Sequence, residues 1–182
     1  MKNKIILLLV LMLSLCIAAS SCGADISALE NLCFAMEDFD LARAEKYAYD
    51  AEEYFAEAKV LAQGLDAEKA EIAKAIYSHM AFSNFTEKDG VCTLTVKYVN
   101  FEKLRRDVNF RVNTGASATD VLRELLESKG FSAYTETADN VTVTLRKDGG
   151  KAYVPLGHAS VNPEFTKMLG LDTFLGWFIL QM

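Results

Sequence analysis

Residues 81–98 read AFSNFTEKDGVCTLTVKY, and this stretch decides the fold class. From Val91 to Tyr98 apolar and polar side chains alternate, a period of two residues that is typical of a strand with one buried face. Lys88-Asp89-Gly90 before it is a tight-turn sequence, which predicts a hairpin with a strand near residues 80–87. The chain therefore changes from helices to a sheet at this hairpin.

Before the hairpin, apolar residues recur at steps of three and four, the spacing of helices with one buried face. A first helix is predicted over residues 26–36. Asp40 caps a second, alanine-rich helix of about six turns over residues 41–62, which ends at Gly64. Asp66 opens a third helix, so the first half of the domain is predicted to be helical.

After the hairpin the pattern is mixed. Residues 101–114 fit both a helix and a strand. Ser117, with Asp120 three residues later, resembles a capping box and predicts a helix that closes at Gly130. Three strands are predicted to follow, over residues 131–137, 140–147 and 152–156. Asp148-Gly149-Gly150 forms the turn of the last hairpin, and a short helix begins at Pro163. Helices first and mostly antiparallel strands later predict an α+β domain with N-terminal helices packed on a curved sheet.

Length and composition limit the class of protein. The chain has 182 residues, which suits one folded domain. Hydrophobic residues make up 51% of it, which excludes an intrinsically disordered chain. The formal net charge of −6 argues against a nucleic-acid-binding protein, because contacts with phosphates require a basic surface. The acidic excess lies in residues 25–80, which hold 13 acidic and 5 basic side chains.

The first 21 residues have the three parts of a secretory signal peptide. Lys2 and Lys4 give a positive start, residues 5–17 form an apolar run, and small residues follow up to Ser21. The apolar run of 13 residues is too short, at about 20 Å as a helix, to cross a bilayer core of about 30 Å. Residues 1–21 are therefore predicted to be cleaved and to lie outside the fold.

Ala19-Ser20-Ser21 followed by Cys22 resembles a bacterial lipobox, in which the cysteine becomes the new N-terminus and carries diacylglycerol and an amide-linked fatty acid such as palmitate. Ala19 stands where the lipobox usually has Leu. Several acyl chains together would hold the protein on a membrane, facing outside the cytoplasm. Residues 22–26 would then be a short tether and residues 27–182 a single domain. In the alternative, the signal is simply cleaved and the protein is secreted.

Two further cysteines of the mature chain, Cys33 and Cys92, lie on apolar faces of predicted elements. An even pair in an exported protein permits a disulfide, and two buried thiols fit the pattern equally well. The spacing of the cysteines is not that of metal ligands, so no metal site is predicted.

Motifs that carry catalytic chemistry are absent from the sequence. No hydrolase, metalloprotease, phosphate-loop or dinucleotide-binding motif occurs, so no catalytic residue and no cofactor are predicted. The two histidines, His79 and His158, are each more simply structural than a general base. The many aromatic side chains could line a pocket, although filling of a core explains most of them.

The order of these elements, with their motifs, resembles small bacterial lipoproteins that have a nuclear-transport-factor-2-like (cystatin-like) cone domain. The similar segments are Ala28–Ala44, Lys88–Val96, Asn140–Leu145, Lys147–Lys151 and Asn162–Gly170. The family's last strand usually carries Trp after the hairpin lysine, where this chain has Ala152-Tyr153. The resemblance implies a curved antiparallel sheet around helices, a fold that hosts both binding domains and enzymes.

Together these features predict an exported, lipid-anchored cell-envelope protein whose domain binds a small apolar ligand or an envelope protein and has no catalytic activity. One alternative is a cone-fold enzyme, of isomerase, dehydratase or hydrolase type, that uses a histidine or carboxylate as general base. The other is a soluble, secreted interaction protein.

The end of the chain is strongly apolar. Seven apolar side chains lie between Leu171 and Leu180, among them Trp177 and Phe178. This segment is too short to span a bilayer, and an exposed patch of its size is uncommon on a soluble monomer. Packing over the domain's own core is the simpler interpretation. The alternative is a surface for self-association or a partner protein, with Trp177 and Phe178 as anchors.

Deletion of residues 173–182 is accordingly expected to lower the melting temperature markedly, because it would remove part of the core. Thermal unfolding followed by circular dichroism measures this. An unchanged melting temperature together with lost self-association or partner capture would show that the segment is an interface instead.

Overall fold

The computed structural model describes residues 26–49, 52–157 and 161–180. The helices in these ranges are α1 (26–37), α2 (Leu41–Glu45), α3 (Glu52–Gln63), α4 (Ala67–Tyr77), α5 (Phe101–Val112), α6 (Ala118–Glu127), α7 (Pro163–Leu169) and α8 (Leu171–Leu180). The strands are β1 (Ala48–Tyr49), β2 (Ala81–Lys88), β3 (Val91–Val99), β4 (Thr135–Thr144), β5 (Arg146–Asp148) and β6 (Lys151–Pro155). The predicted α+β class, with helices and a curved, mostly antiparallel sheet, is confirmed. The signal peptide, the lipid site Cys22 and most of the tether lie outside the described residues.

Two small sheets organise the strands. In the first, β2, β3 and β4 are antiparallel neighbours in that order, and β2 and β3 form the predicted hairpin. In the second, β6 lies between β5, to which it is antiparallel, and β1, to which it is parallel. The helices and both sheets contribute side chains to one apolar core. Among the described residues, no helix is both long and apolar enough to cross a membrane.

Two bulges bend the first sheet at the same level. The register shifts on β2 between Ser83 and Thr86, and on β4 opposite Thr95. Asn84 and Asn140, at these two bulges, both have a φ of 56°, a left-handed conformation that asparagine tolerates better than most residues. Between them, the Thr95 hydroxyl accepts from Asn84 Nδ2 at 3.2 Å and donates to Asp139 Oδ1 at 3.0 Å. Because bulges increase bend and twist, they account for the curvature of the sheet.

The long second helix that was predicted over residues 41–62 is wrong. The chain leaves the helix after Glu45, forms β1, and resumes a helix at Glu52. The backbone oxygen of Tyr47 accepts from the Val154 amide at 2.8 Å, and Ala48 is paired with Val154 on β6. Pairing with a strand more than a hundred residues later therefore overrides the local helical spacing.

Two details after the hairpin also differ from the prediction. Ser117 makes no capping hydrogen bond, and Asp120 instead accepts from Arg123, so the predicted capping box is not formed. Residues 129–134 are a 3₁₀-helix, where the start of a strand was predicted. The strands predicted over 131–137 and 140–147 are mostly one strand, β4, because Asn140 forms a bulge rather than a break. The ambiguous stretch 101–114 forms α5, capped by Asn100.

The apolar C-terminal segment is a helix, α8, packed against α3 and α5. Phe174 is buried and stacks on Phe178 with ring centroids 5.0 Å apart. The turn into α8 is made by Gly170, which has a φ of 66° and lies directly against the Phe101 ring. A side chain at position 170 would overlap this ring, so the packing of α8 depends on a glycine there.

One buried amide joins the two sheets. Asn162, only 3% exposed, accepts from the Thr144 amide at 2.8 Å and donates from Nδ2 to the Thr144 and Pro155 oxygens, each at 3.0 Å. Thr144 ends β4 and Pro155 ends β6. The side chain therefore satisfies the backbone of both strand ends immediately before α7.

The Asn162→Ala variant is expected to lose about 2–4 kcal/mol of unfolding free energy, because it leaves buried backbone groups without partners. Urea unfolding followed by circular dichroism measures this. Asn113→Ala is the control, since Asn113 is exposed and its side chain makes no hydrogen bond within the described residues. Equal unfolding midpoints for the two variants would contradict the assigned role of Asn162.

Candidate functional site

The outward face of α5 borders a shallow, open depression, called the α5 groove below. The opposite face of this helix is buried through Phe101, Leu104 and Val108, which fixes the direction in which the remaining side chains point. The groove is lined by side chains at helical spacing, namely Glu102, Arg105, Arg106, Asn109, Phe110 and Asn113. One helix therefore supplies a continuous stripe of cations, amides and an aromatic ring.

The two arginines of the groove are poorly neutralised. The Arg105 side chain makes no hydrogen bond or ion pair with any other described residue. Arg106 Nε lies 3.5 Å from Asp107 Oδ1, and the other oxygen of that carboxylate accepts from the Tyr134 hydroxyl at 3.2 Å. Glu102 Oε1 lies 3.6 Å from Lys167 Nζ, which offsets the acidic group of the groove. Positive charge is thus available to a ligand, on a chain whose net charge is −6.

The apolar part of the groove is Phe110. It is 73% exposed, the highest value among the large apolar side chains that the structure describes. Asn109 beside it is held by the tail, because its Oδ1 accepts from Trp177 Nε1 at 2.9 Å. The groove is therefore backed by a fixed amide and presents an unburied ring to solvent.

The two predicted anchor residues of the tail lie beneath this surface and not on it. Trp177 is 9% exposed and Phe178 is fully buried. Trp177 contacts the groove only through its hydrogen bond to Asn109, from the inside. These positions support packing of the tail over the domain's own core.

The cysteines Cys33 and Cys92 are fully buried and are held as thiols. Burial, followed by the nearby Glu37 and Glu30 carboxylates, raises the pKa of the Cys33 thiol well above its ordinary value. A protonated, inaccessible thiol is a poor nucleophile. The sequence left a disulfide and two buried thiols equally open for this pair, and the structure has both residues as free cysteines.

Groups that could act as a general base do not converge within the described chain. His79 stacks on Phe131 with centroids 4.4 Å apart, and burial followed by the nearby Lys97 lowers the pKa of its imidazole. His158 lies outside the described residues. No group of three or more His, Cys, Asp or Glu side chains in the described ranges is arranged to hold a metal ion.

Aromatic side chains of the described interior pack within the apolar core. Tyr77 is fully buried, packs against Phe39, Phe101 and Phe174, and donates its hydroxyl to the Leu169 oxygen at 3.1 Å. The buried polar residues of the described chain are Asn162 and Thr166. Among the described residues, the surface groove on α5 remains as a candidate site.

This groove was not predicted from the sequence, although a signal for it is present. Four basic residues, Lys103, Arg105, Arg106 and Arg111, fall within nine positions of an acidic chain. Phe110 also falls off the apolar face that Phe101, Leu104 and Val108 define. The unresolved choice between helix and strand hid both features, because an outward face cannot be assigned before the period is known.

Comparisons of the chain with protein-family models, with curated proteins and with solved structures found no match.

Glu37 at the end of α1 gives a pH-dependent prediction. Burial raises the pKa of its carboxyl and nearby Asp38 adds to this, while the hydrogen bond from the Phe82 amide, at 3.0 Å, opposes it. A pKa that is higher in the folded state stabilises the fold below the ordinary value of about 4.3, and this stabilisation is lost as the pH rises. Relative to Glu37→Gln, the wild-type unfolding free energy is therefore expected to decrease between about pH 4 and pH 7.

Urea unfolding of both proteins at several pH values measures this difference. Glutamine keeps an oxygen that can accept from Phe82 and cannot titrate, so it isolates the charge. Parallel stability curves for wild type and Glu37→Gln would show that burial of Glu37 does not affect folding.

Proposed function

We propose that this chain is an exported, lipid-anchored cell-envelope protein whose domain binds a partner on its surface and does not catalyse a reaction. The observation that carries the binding role is the α5 groove, where Arg105 has no partner among the described residues and Phe110 is 73% exposed. Arginine side chains beside an exposed aromatic ring are a common composition of binding surfaces. Because the aromatic side chains of the described interior pack within the apolar core, binding at the surface is the better supported role.

The orientation of α1 relates the proposed anchor to this groove. Glu37 contacts Phe82 at the start of β2, and Phe34 contacts Phe85 further along it, with ring centroids 6.4 Å apart. Helix α1 is therefore antiparallel to β2, and at about 1.5 Å per residue its first turn lies near the hairpin that joins β2 to β3. A tether from Cys22 to Ile26 spans at most about 14 Å, so lipidation would hold this hairpin end close to the bilayer.

Helix α5 begins at the other end of the sheet. It follows β3 directly, and the nine residues of β3 span roughly 27 Å from the hairpin. Arg105 and Arg106 lie within about 9 Å of the start of α5 along its axis. On a lipid-anchored molecule these arginines would be directed away from the membrane, toward other molecules of the envelope.

We also propose that the curved sheet is a reduced form of the cystatin-like cone. This is supported by the three-stranded antiparallel sheet, by its two bulges at Asn84 and Asn140, and by the contacts of α1 with β2. The small sheet of β1, β5 and β6 would then be an addition beside the cone.

The Cys22→Ser variant tests the anchor. It is expected to move the protein from the membrane fraction to the soluble fraction, because a serine hydroxyl does not receive the diacylglycerol of this pathway. Mass spectrometry of the N-terminal peptide measures the acyl chains directly. Cys16→Ser is the matched control, because Cys16 lies inside the apolar run and should leave both results unchanged. A membrane fraction unaffected by Cys22→Ser, or an N-terminal peptide without acyl mass, would refute lipidation.

A further inference from the structure

We infer that the α5 groove binds an acidic segment of a protein, in which carboxylates lie close to an apolar side chain. This inference rests on the proposed function and names the class of partner for the same groove. It follows from the shape of the groove, from its charges and from its position relative to the anchor.

The shape of the groove favours a polymer. From Glu102 to Asn113 the stripe is about 17 Å long, which matches roughly five residues of extended chain. Because all the lining side chains come from one helix, no second wall would enclose a small molecule. Small-ligand sites usually bury most of their ligand, whereas an extended segment can bind along an open stripe.

The charges favour carboxylates. A guanidinium offers paired N–H donors that match the two oxygens of a carboxylate, and Arg105 and Arg106 each line the groove with one of these groups. The single acidic residue of the groove is offset by Lys167 at 3.6 Å. One helical turn further on, the exposed Phe110 ring fits an apolar side chain and the Asn113 amide fits a backbone group. The complementary ligand therefore has acidic residues followed closely by an apolar one.

Other polyanions fit less well. The net charge of −6, with its excess in residues 25–80, repels a long nucleic acid. An anionic bilayer would meet the hairpin end of the sheet on an anchored molecule, whereas the two arginines lie near the other end. A short protein segment contacts the groove alone, so it avoids the acidic surface of residues 25–80 and does not have to lie at the membrane.

The test measures binding of a defined probe to the full acylated protein in neutral phosphatidylcholine nanodiscs. The probe is a fluorescein-labelled, end-capped peptide of glutamates around a central phenylalanine, and its counterpart has lysines in place of the glutamates. Fluorescence anisotropy at low salt is expected to show saturable binding of the glutamate peptide alone. Binding should weaken as salt is raised, because exposed charges are screened.

Two sets of variants locate the site. The double variant Arg105→Glu with Arg106→Glu is expected to weaken peptide binding at least tenfold. Phe110→Ala is expected to weaken it about threefold or more. The matched control is Lys74→Glu with Lys97→Glu, which makes the same change in net charge at exposed positions on α4 and β3. Binding by this control should stay within about twofold of the wild type.

Several results would overturn the inference. The first is that the wild type does not bind the glutamate peptide. The second is that the arginine and lysine double variants lose affinity for the peptide equally. The third is that phosphatidylglycerol nanodiscs or millimolar inorganic phosphate displace the peptide. Failure of the anchor is distinguishable, because it is measured by acyl mass at Cys22. A wild-type protein that carries no acyl mass at Cys22 and still binds the peptide would refute lipidation and leave the groove assignment intact.

Discussion

The apolar face of β3 constrains almost everything else in the domain. Cys92, Leu94 and Val96 are at most 1% exposed, and the strand lies between β2 and β4. A slip of one residue in register would turn these side chains to solvent, so the pairing on both sides is strongly specified. Helix α1 covers this face, and the packing of α7 and α8 completes the same core. The direction of α5, and with it the groove, follows from where β3 ends.

Side-chain hydrogen bonds satisfy buried backbone groups at the ends of strands and helices. The end of β4 would expose backbone groups to an apolar environment, and the Asn162 amide satisfies them while also bonding to Pro155. Similarly, the Tyr77 hydroxyl donates a hydrogen bond to the Leu169 backbone oxygen at the end of α7. Both contacts link segments far apart in the sequence, so they fix how the C-terminal helices sit on the sheets. The groove depends on this, because Trp177 holds Asn109 only when α8 is in place.

Local patterns in the sequence sufficed where the structure is decided locally. The alternation in 91–98 predicts β3, the Asp66 cap predicts α4, and Pro163 marks the start of α7. They failed where distant pairing decides. Residues 47–49 have helical spacing and form β1 only because Val154 binds there, and Asn140 continues β4 as a bulge because β3 lies beside it. The groove was missed for a related reason. Residues 101–114 fit both a helix and a strand, and the position of Phe110 off the apolar face is defined only once the helix, buried through Phe101, Leu104 and Val108, is chosen.

The paired bulges have a consequence for behaviour at high density. In the three-stranded sheet, β2 and β4 are the outer strands, and each has its bulge at the level of Thr95. A flat outer strand is a template to which another chain can add, and a bulge disturbs the regular spacing that such addition needs. A protein crowded on a surface meets copies of itself far more often than one in dilute solution. The left-handed asparagines Asn84 and Asn140 thus do more than curve the sheet, because they also make its two borders poor sites for aggregation.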